Sequence, residues 1–387
     1  MNYQAFLDSA FDLKKEELNI GKLEEKISEG KEKLNVLIMG ASGVGKSSLI
    51  NAIFGMEIAK TGDGKPITQE LEKISVKEKG LTLWDTKGIE SKDFDATMKA
   101  LEDEIEKGVQ SLNHKNAPHI ALLCISEASK RVEPRELELI ALSQKYKIPT
   151  IIVFTKTEHE AGQNFVDNAK EIINKKYKDF IKDRYARVNS VEYVIQGHKF
   201  SKSGLEPLID LISSCIEEGH SAIQKHFLKI QTVKIEEKYQ AMLEEAKKIV
   251  HLAATSAGAV GASPIPGSDA PAIAAIQGTM IYKLNSEFEV DMEQAAATSV
   301  ITGILGITAL AQVGKAVVAG VLKFIPVAGA ILGGAISATT AFAITEAVGF
   351  AYIEVLKRFY NAETGKVDFP ENTALIVDVF NQIFKKP

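Results

Sequence analysis

The sequence predicts an α/β domain, a mainly parallel six-stranded sheet with helices on both faces, joined to an all-α domain formed by the N-terminal helix and the C-terminal third. Three observations lead there. Short apolar runs alternate with amphipathic ones between about residues 34 and 218. A glycine-rich loop, Gly40-Ala41-Ser42-Gly43-Val44-Gly45-Lys46-Ser47, lies between the first apolar run and the first amphipathic one. After residue 252 the chain turns to alanine and glycine, and no charge falls in 295–314 or 324–345. The domains expected are an N-terminal helical segment at 1–33, an α/β domain at 34–218 and an Ala/Gly-rich helical domain at 219–387.

Residues 1–33 carry Phe6, Leu7, Phe11, Leu18, Leu23 and Ile27 among charges, which predicts helix interrupted at Gly21 and Gly30. Residues 35–39 form a short apolar run that reads as a buried parallel strand, and 48–54 continue with helical spacing. The polar, glycine-bearing stretch 60–70 is expected to be mobile. Strands follow at 71–77 and 81–85, and the tight Glu78-Lys79-Gly80 turn predicts an antiparallel pair. Helices are expected at 93–112, 133–147 and 161–184, with strands at 119–125, 149–154 and 185–190. The lysines of the 161–184 helix are interleaved with acids, as on a solvated face. Residues 217–251 read as one long helix.

Strand, glycine loop and helix stand in the order a phosphate-binding loop needs. Glycines at 40, 43 and 45 let the backbone take positive φ and bring the amides of Ser42 to Ser48 close to phosphate oxygens. The amides of Val44 to Ser48 also open a helix whose dipole favours an anion. Lys46 supplies a charge for the β- and γ-phosphates, and the Ser47 hydroxyl can ligate magnesium. Asp85 ends a strand beside this loop, in position for the magnesium shell, and the Gly88 amide can reach a γ-phosphate. Thr155-Lys156-Thr157-Glu158 follows another strand. The Lys156 stem can lie on a base plane, and Glu158 can accept from the paired N–H donors that guanine has and adenine lacks. Asn189 and Ser190 can offer amides to the guanine O6.

With these motifs the region resembles the GTPases of the Era, TrmE and septin superfamily, and more distantly the immunity-related GTPases. The resemblance covers about half of the chain and implies GTP or GDP with Mg2+ as ligands, and hydrolysis of GTP to GDP and phosphate. It implies that Thr68 is the switch threonine that ligates magnesium, that residues 85–88 form the second switch, and that 155–158 and Asn189-Ser190 contact guanine. Three departures matter. Thr155 stands where the family has an asparagine that ties loops together, and Glu158 where it has an aspartate. Ile89 occupies the place of a water-orienting glutamine, so intrinsic hydrolysis is expected to be slow. Gly43 replaces the asparagine of potassium-activated relatives. An arginine from a homodimer partner across the nucleotide face can compensate, with Arg131 and Arg135 as candidates.

The C-terminal third resembles the hydrophobic domain of unknown function that follows the GTPase domain in certain bacterial GTPases. Its uncharged runs have the length of a bilayer crossing, and Gly329-Ala330-Ile331-Leu332-Gly333 would let two helices approach closely. Two readings stand. Helices buried in a soluble bundle are favoured, because alanine and glycine offer little apolar surface and Lys315 and Lys323 split the pair of runs. The other reading is a membrane surface, bound or entered through residues 252–350. The net charge of −5 gives no electrostatic reason to bind DNA. Two cysteines and the absence of a signal-peptide pattern suggest a cytoplasmic chain with reduced, buried thiols.

Overall fold

The computed structural model describes residues 11–12, 17–55, 63–66, 71–86, 94–110, 116–157, 162–195, 198–217, 221–262, 269–313 and 335–385. The chain forms two compact units, Lys31–Lys238 and Met1–Gly30 with Tyr239–Pro387. In chain order the elements are α1 (Ile20–Gly30), β1 (Leu34–Met39), α2 (Lys46–Phe54), β2 (Asp63–Pro66), β3 (Leu71–Val76) and β4 (Leu81–Thr86). Then come α3 (Phe94–Gln110), β5 (Ile120–Ser126), α4 (Pro134–Lys145), β6 (Thr150–Thr155), α5 (Gln163–Ile181), β7 (Tyr185–Val188), α6 (Leu205–Glu217) and α7 (Ser221–Ile230). The remaining helices are α8 (Ile235–Gly261), α9 (Asp269–Glu287), α10 (Gln294–Val313), α11 (Ala335–Arg358) and α12 (Thr373–Phe384).

The sheet of the first unit runs in the order β2-β3-β4-β1-β5-β6-β7. From β4 to β7 neighbours are parallel, while β2, β3 and β4 form an antiparallel edge. Strands β1, β5 and β6 are buried along their whole length, as strands covered on both faces must be. The two-residue period sorts β1: Val36 and Ile38 join Leu49 and Ile53 of α2 in one core, while Leu37 and Met39 join Leu101 of α3 and Leu139 of α4 in the other. The predicted mainly parallel sheet is therefore present, with one more strand than the six expected. The addition is β2, within the stretch expected to be mobile. It carries Gly64 and Pro66 and no apolar alternation, and it is held by pairing with β3.

Two helical expectations are corrected. Within 1–33, Phe11–Asp12 pairs antiparallel with Glu17–Leu18, and α1 begins only after Asn19. Asn19 caps it, its side-chain oxygen accepting from the Lys22 amide at 3.0 Å, which fixes the start of the helix there. Among the described residues of 217–251 the expected single helix is three pieces, the end of α6, α7 and α8. Gln231 makes the break between α7 and α8. Its Oε1 accepts from the amides of Val233 and Lys234 at 2.7 and 2.8 Å, and its Nε2 donates to the carbonyls of Leu228 and Lys234 at 3.1 and 2.9 Å. One side chain thus replaces the bonds the helix gives up. Helix α7 belongs to the sheet unit, with Phe227 edge-on to Phe54 of α2 at 6.2 Å. The turn between β3 and β4 packs beneath it, where His226 Nε2 lies 3.3 Å from the Gly80 carbonyl.

The second unit is a helical bundle. Its core takes Leu23 of α1, Val250 of α8, Met280 of α9, Val300 of α10, Tyr352 of α11 and Phe380 of α12. Small residues serve close packing: a Cβ on Gly349 would sit 2.5 Å from a methyl of Val250 and 2.9 Å from the Met280 sulfur. The apolar interior also holds hydrogen-bonded polar side chains. Gln277 donates to the Thr345 hydroxyl at 3.2 Å, and the Tyr352 hydroxyl donates to Asn285 at 2.7 Å. Residues Ala338–Arg358 are long and apolar enough to cross a membrane, and 61% of their apolar window is buried inside the protein, as for a core helix. The Gly329 to Gly333 motif lies outside the described residues.

Candidate functional site

The parallel strands deliver their carboxyl ends to one edge of the sheet, the usual place for a ligand in such folds. There β1 stops at Met39 and the loop begins. Gly40, Gly43 and Gly45 have φ of 139°, 73° and 102°. At Gly40 the requirement is double: the backbone is left-handed, and a Cβ would lie 2.4 Å from the Cys124 carbonyl oxygen. A Cβ on Gly43 would meet nothing within 4 Å, so this glycine faces open space over the loop. Helix α2 starts at Lys46 and presents its amino end to the same space.

Lys46 is buried, and its ammonium donates to the carbonyls of Gly40 and Ala41 at 3.0 and 3.1 Å. Asp85 pairs with Ile38 in the β4–β1 register, one residue before β1 ends. Lys46, Ser47 and Asp85 line one cleft with Ile38 and Leu83. A hydroxyl and a carboxylate at that cleft form a hard-oxygen donor set, which fits magnesium. Thr86 anchors the end of β4, its hydroxyl donating to the Ile38 carbonyl at 3.2 Å. The single tryptophan, Trp84, is buried beside Asp85, with the Lys73 ammonium 3.7 Å from its ring centroid. Cys124 beneath the loop is an inert thiol, its pKa pushed up to about 12 by burial.

The stretch expected to recognise a base leaves β6. Thr155 was expected to forfeit the tie that the family's asparagine makes, and the structure corrects this. The Thr155 hydroxyl donates to the Val44 carbonyl of the phosphate loop at 2.5 Å, with the Ile125 carbonyl at 3.4 Å. A shorter side chain reaches because β6 ends directly under the loop, where Gly45 would place a Cβ 3.9 Å from Thr155. Lys156 follows with φ of 54°, an uncommon conformation for a side-chain-bearing residue. Asn189 and Ser190 are buried at the end of β7. The Asn189 amide donates to the Ser203 carbonyl at 3.0 Å and its side chain to the Ser201 carbonyl at 2.9 Å, so the Asn189 amide expected to contact a base is already engaged. Arg131 and Arg135 both pair with Glu133. Thr68, Gly88, Ile89 and Glu158 lie outside the described residues.

Sequence reasoning missed an ion pair at this edge. Arg187 of β7 donates to Glu127, just past β5, from Nε at 2.7 Å and from Nη2 at 2.9 Å. The only trace in the sequence is an arginine alternating with apolar residues in the last strand.

A glycine loop at the carboxyl edge of a parallel sheet, with a lysine at the head of the helix and a serine and an aspartate sharing its cleft, defines a P-loop nucleotide-binding protein. Comparison with known proteins refines that class. Residues 35–156 match the family described as 50S ribosome-binding GTPase, and residues 230–385 match a domain of unknown function, DUF697. A probable GTP-binding protein EngB of Koribacter versatilis is 31% identical over 137 residues, 34% of this chain and 66% of that protein. The tRNA modification GTPase MnmE of Clostridioides difficile is 26% identical over 225 residues, 57% of this chain and 42% of that protein. The chain thus spans less than two thirds of the length of these relatives. Among solved structures, a probable GTP-binding protein engB matches 48% of this chain and 99% of its own at 17% identity, with a TM-score of 0.35. Residues 35–156 thus carry the matched GTPase domain and residues 230–385 the matched DUF697 domain.

Proposed function

We propose that the protein binds GTP with Mg2+, hydrolyses it to GDP and phosphate, and acts as a nucleotide-dependent switch coupled to its helical unit, Met1–Gly30 with Tyr239–Pro387, whose boundary lies beyond the 219 expected from the sequence. The observation that carries this reading is the cleft shared by Lys46, Ser47 and Asp85 at the mouth of the glycine loop. Loop amides and the α2 amino end bind the phosphates, and Lys46 has donor capacity beyond its two carbonyl bonds for a phosphate oxygen. Ser47, Asp85 and Thr68 would hold magnesium, which when bound neutralises charge on the β- and γ-phosphates. The Gly88 amide receives the γ-phosphate. Thr155 keeps the loop and the base stretch in register, Lys156 covers the base, and Glu158 and Ser190 read guanine.

With Ile89 in place of a glutamine, turnover of the isolated chain is slow, and a homodimer across the nucleotide face accelerates it. Because Arg131 and Arg135 are engaged with Glu133, one of them must exchange partners to act in trans. Phosphate release per molecule that rises with protein concentration is the expected result. Release that stays at background at every concentration refutes the dimer. The thermal midpoint should rise with GTP and not with ATP, and the Lys46→Ala variant should lose the rise; equal responses to GTP and ATP refute guanine recognition.

The buried thiols of Cys124 and Cys215, which form no disulfide among the described residues, fit a cytoplasmic protein. The second reading, a GTPase whose apolar helices bind or remodel lipid, has the composition of Ala338–Arg358 in its favour. Flotation with liposomes in the presence of a non-hydrolysable GTP analogue decides it, and a chain that stays soluble refutes it.

A further inference from the structure

We propose that Glu127 and Arg187 form a clamp that positions the base-recognition stretch and thereby sets the preference for guanine. The inference rests on the guanine reading above and deepens it. In the sheet β6 lies between β5 and β7, with Ser126 beside Thr155 and Phe154 beside Arg187. Glu127 follows Ser126 directly, so the ion pair spans from the strand on one side of the β6 terminus to the strand on the other. The pair is bidentate, with arms of 2.7 and 2.9 Å, and the Glu127 side chain is only 3% exposed. A planar guanidinium on a buried carboxylate is a rigid link with a fixed direction.

The third arm points to what is being held. Arg187 Nη1 donates at 2.9 Å to Oε1 of Gln163, the first residue of α5. The residue before it, Gly162, packs so tightly on the pair that a Cβ there would fall 2.0 Å from Glu127 Oε2 and 3.0 Å from Arg187 Nη2. Thr155 and the start of α5 at Gly162 and Gln163 are therefore each held in place. One is pinned to the phosphate loop through the Thr155 hydroxyl, the other to the clamp through Gly162 and Gln163. Between them Lys156 sits in the left-handed region, a conformation that persists only where the surroundings impose it. Two residues beyond Arg187, the Asn189-Ser190 stretch starts from the same strand. Glu127 and Arg187 are positioning residues. They set where the base-reading groups stand, while phosphate binding is left to the loop around Lys46.

That division gives the test. Dissociation constants of GDP, IDP and ADP are measured on the full chain, on Arg187→Gln, on Glu127→Gln and on Gln163→Ala. Inosine differs from guanosine by the 2-amino group alone, so the ratio for IDP over GDP reports the geometry of the base contacts. The wild type should prefer GDP. Arg187→Gln and Glu127→Gln should lower that ratio roughly tenfold, the loss of one well-placed bond to a charged group, with IDP affinity nearly unchanged. Gln163→Ala, which keeps the ion pair and removes only the third arm, should move the ratio in the same direction by less, and it serves where the clamp variants do not fold. GDP and IDP affinities that fall together, or a ratio that stays at the wild-type value in folded Gln163→Ala, overturn the clamp. A wild type that binds GDP and IDP alike overturns the guanine reading itself, an outcome distinct from the other two.

Discussion

Replacing Thr155 with valine removes one hydroxyl and changes almost no volume. That hydroxyl donates to the Val44 carbonyl at 2.5 Å, and both residues are buried, at 2% and 7% exposure. Water cannot readily replace it, so the Val44 carbonyl loses its donor, at a cost of about 1–3 kcal/mol. The cost falls on the phosphate loop, since Val44 lies between Gly43 and Gly45. Global unfolding is a poor readout in a chain of two units. Amide hydrogen exchange reads local opening directly, and at 1.4 kcal/mol per factor of ten the amides of residues 43–48 should exchange about five- to a hundredfold faster in Thr155→Val. Thr155→Ser, which keeps the hydroxyl, should stay close to the wild type. Loop exchange unchanged in the valine variant, or equally fast in both, would refute the tie.

Gly40→Ala forces a Cβ to within 2.4 Å of the Cys124 carbonyl at a φ of 139°, so the loop must move; GTP should no longer raise the thermal midpoint of this variant, while Gly43→Ala, with open space at the Cβ, should keep part of the response. His226 has its pKa pushed down to about 4, first by burial and then by Lys229. The unfolded chain therefore binds its proton at higher pH than the folded one, so His226 costs nothing above about pH 6.5, and stability falls as pH drops from there to about 4, by about 3 kcal/mol in all. Midpoints of the sheet unit measured from pH 7 to 4 should fall less steeply in His226→Gln, and an identical pH slope would contradict the assignment.

Much of this site is legible in the sequence because its chemistry is local. The glycines, Lys46 and Ser47 are contiguous, and the apolar runs of β1, β5 and β6 announce strands whichever side chains they later meet. The features that stayed hidden depend on distant partners or on single polar side chains. Thr155 and Val44 are 111 residues apart, and only the sheet order shows that a threonine there still reaches the loop. Glu127 and Arg187 are 60 apart and look like two ordinary surface charges until β6 is placed between them. The break after α7 is made by Gln231, whose side chain bonds the backbone in a stretch that otherwise keeps helical spacing. Strand β2 exists through pairing alone, for nothing in Asp63–Pro66 favours a strand.

The central claim is that a triphosphate is held by the Gly40 to Ser48 loop with Lys46 and magnesium. Calorimetric titration of GTP in the presence of Mg2+ into the full chain and into Lys46→Ala tests it most directly. Saturable binding of one GTP per chain, weakened at least a hundredfold by the substitution or by removal of Mg2+, is the predicted result. Binding of equal strength in Lys46→Ala, or no heat from the wild type at any GTP concentration, would contradict it.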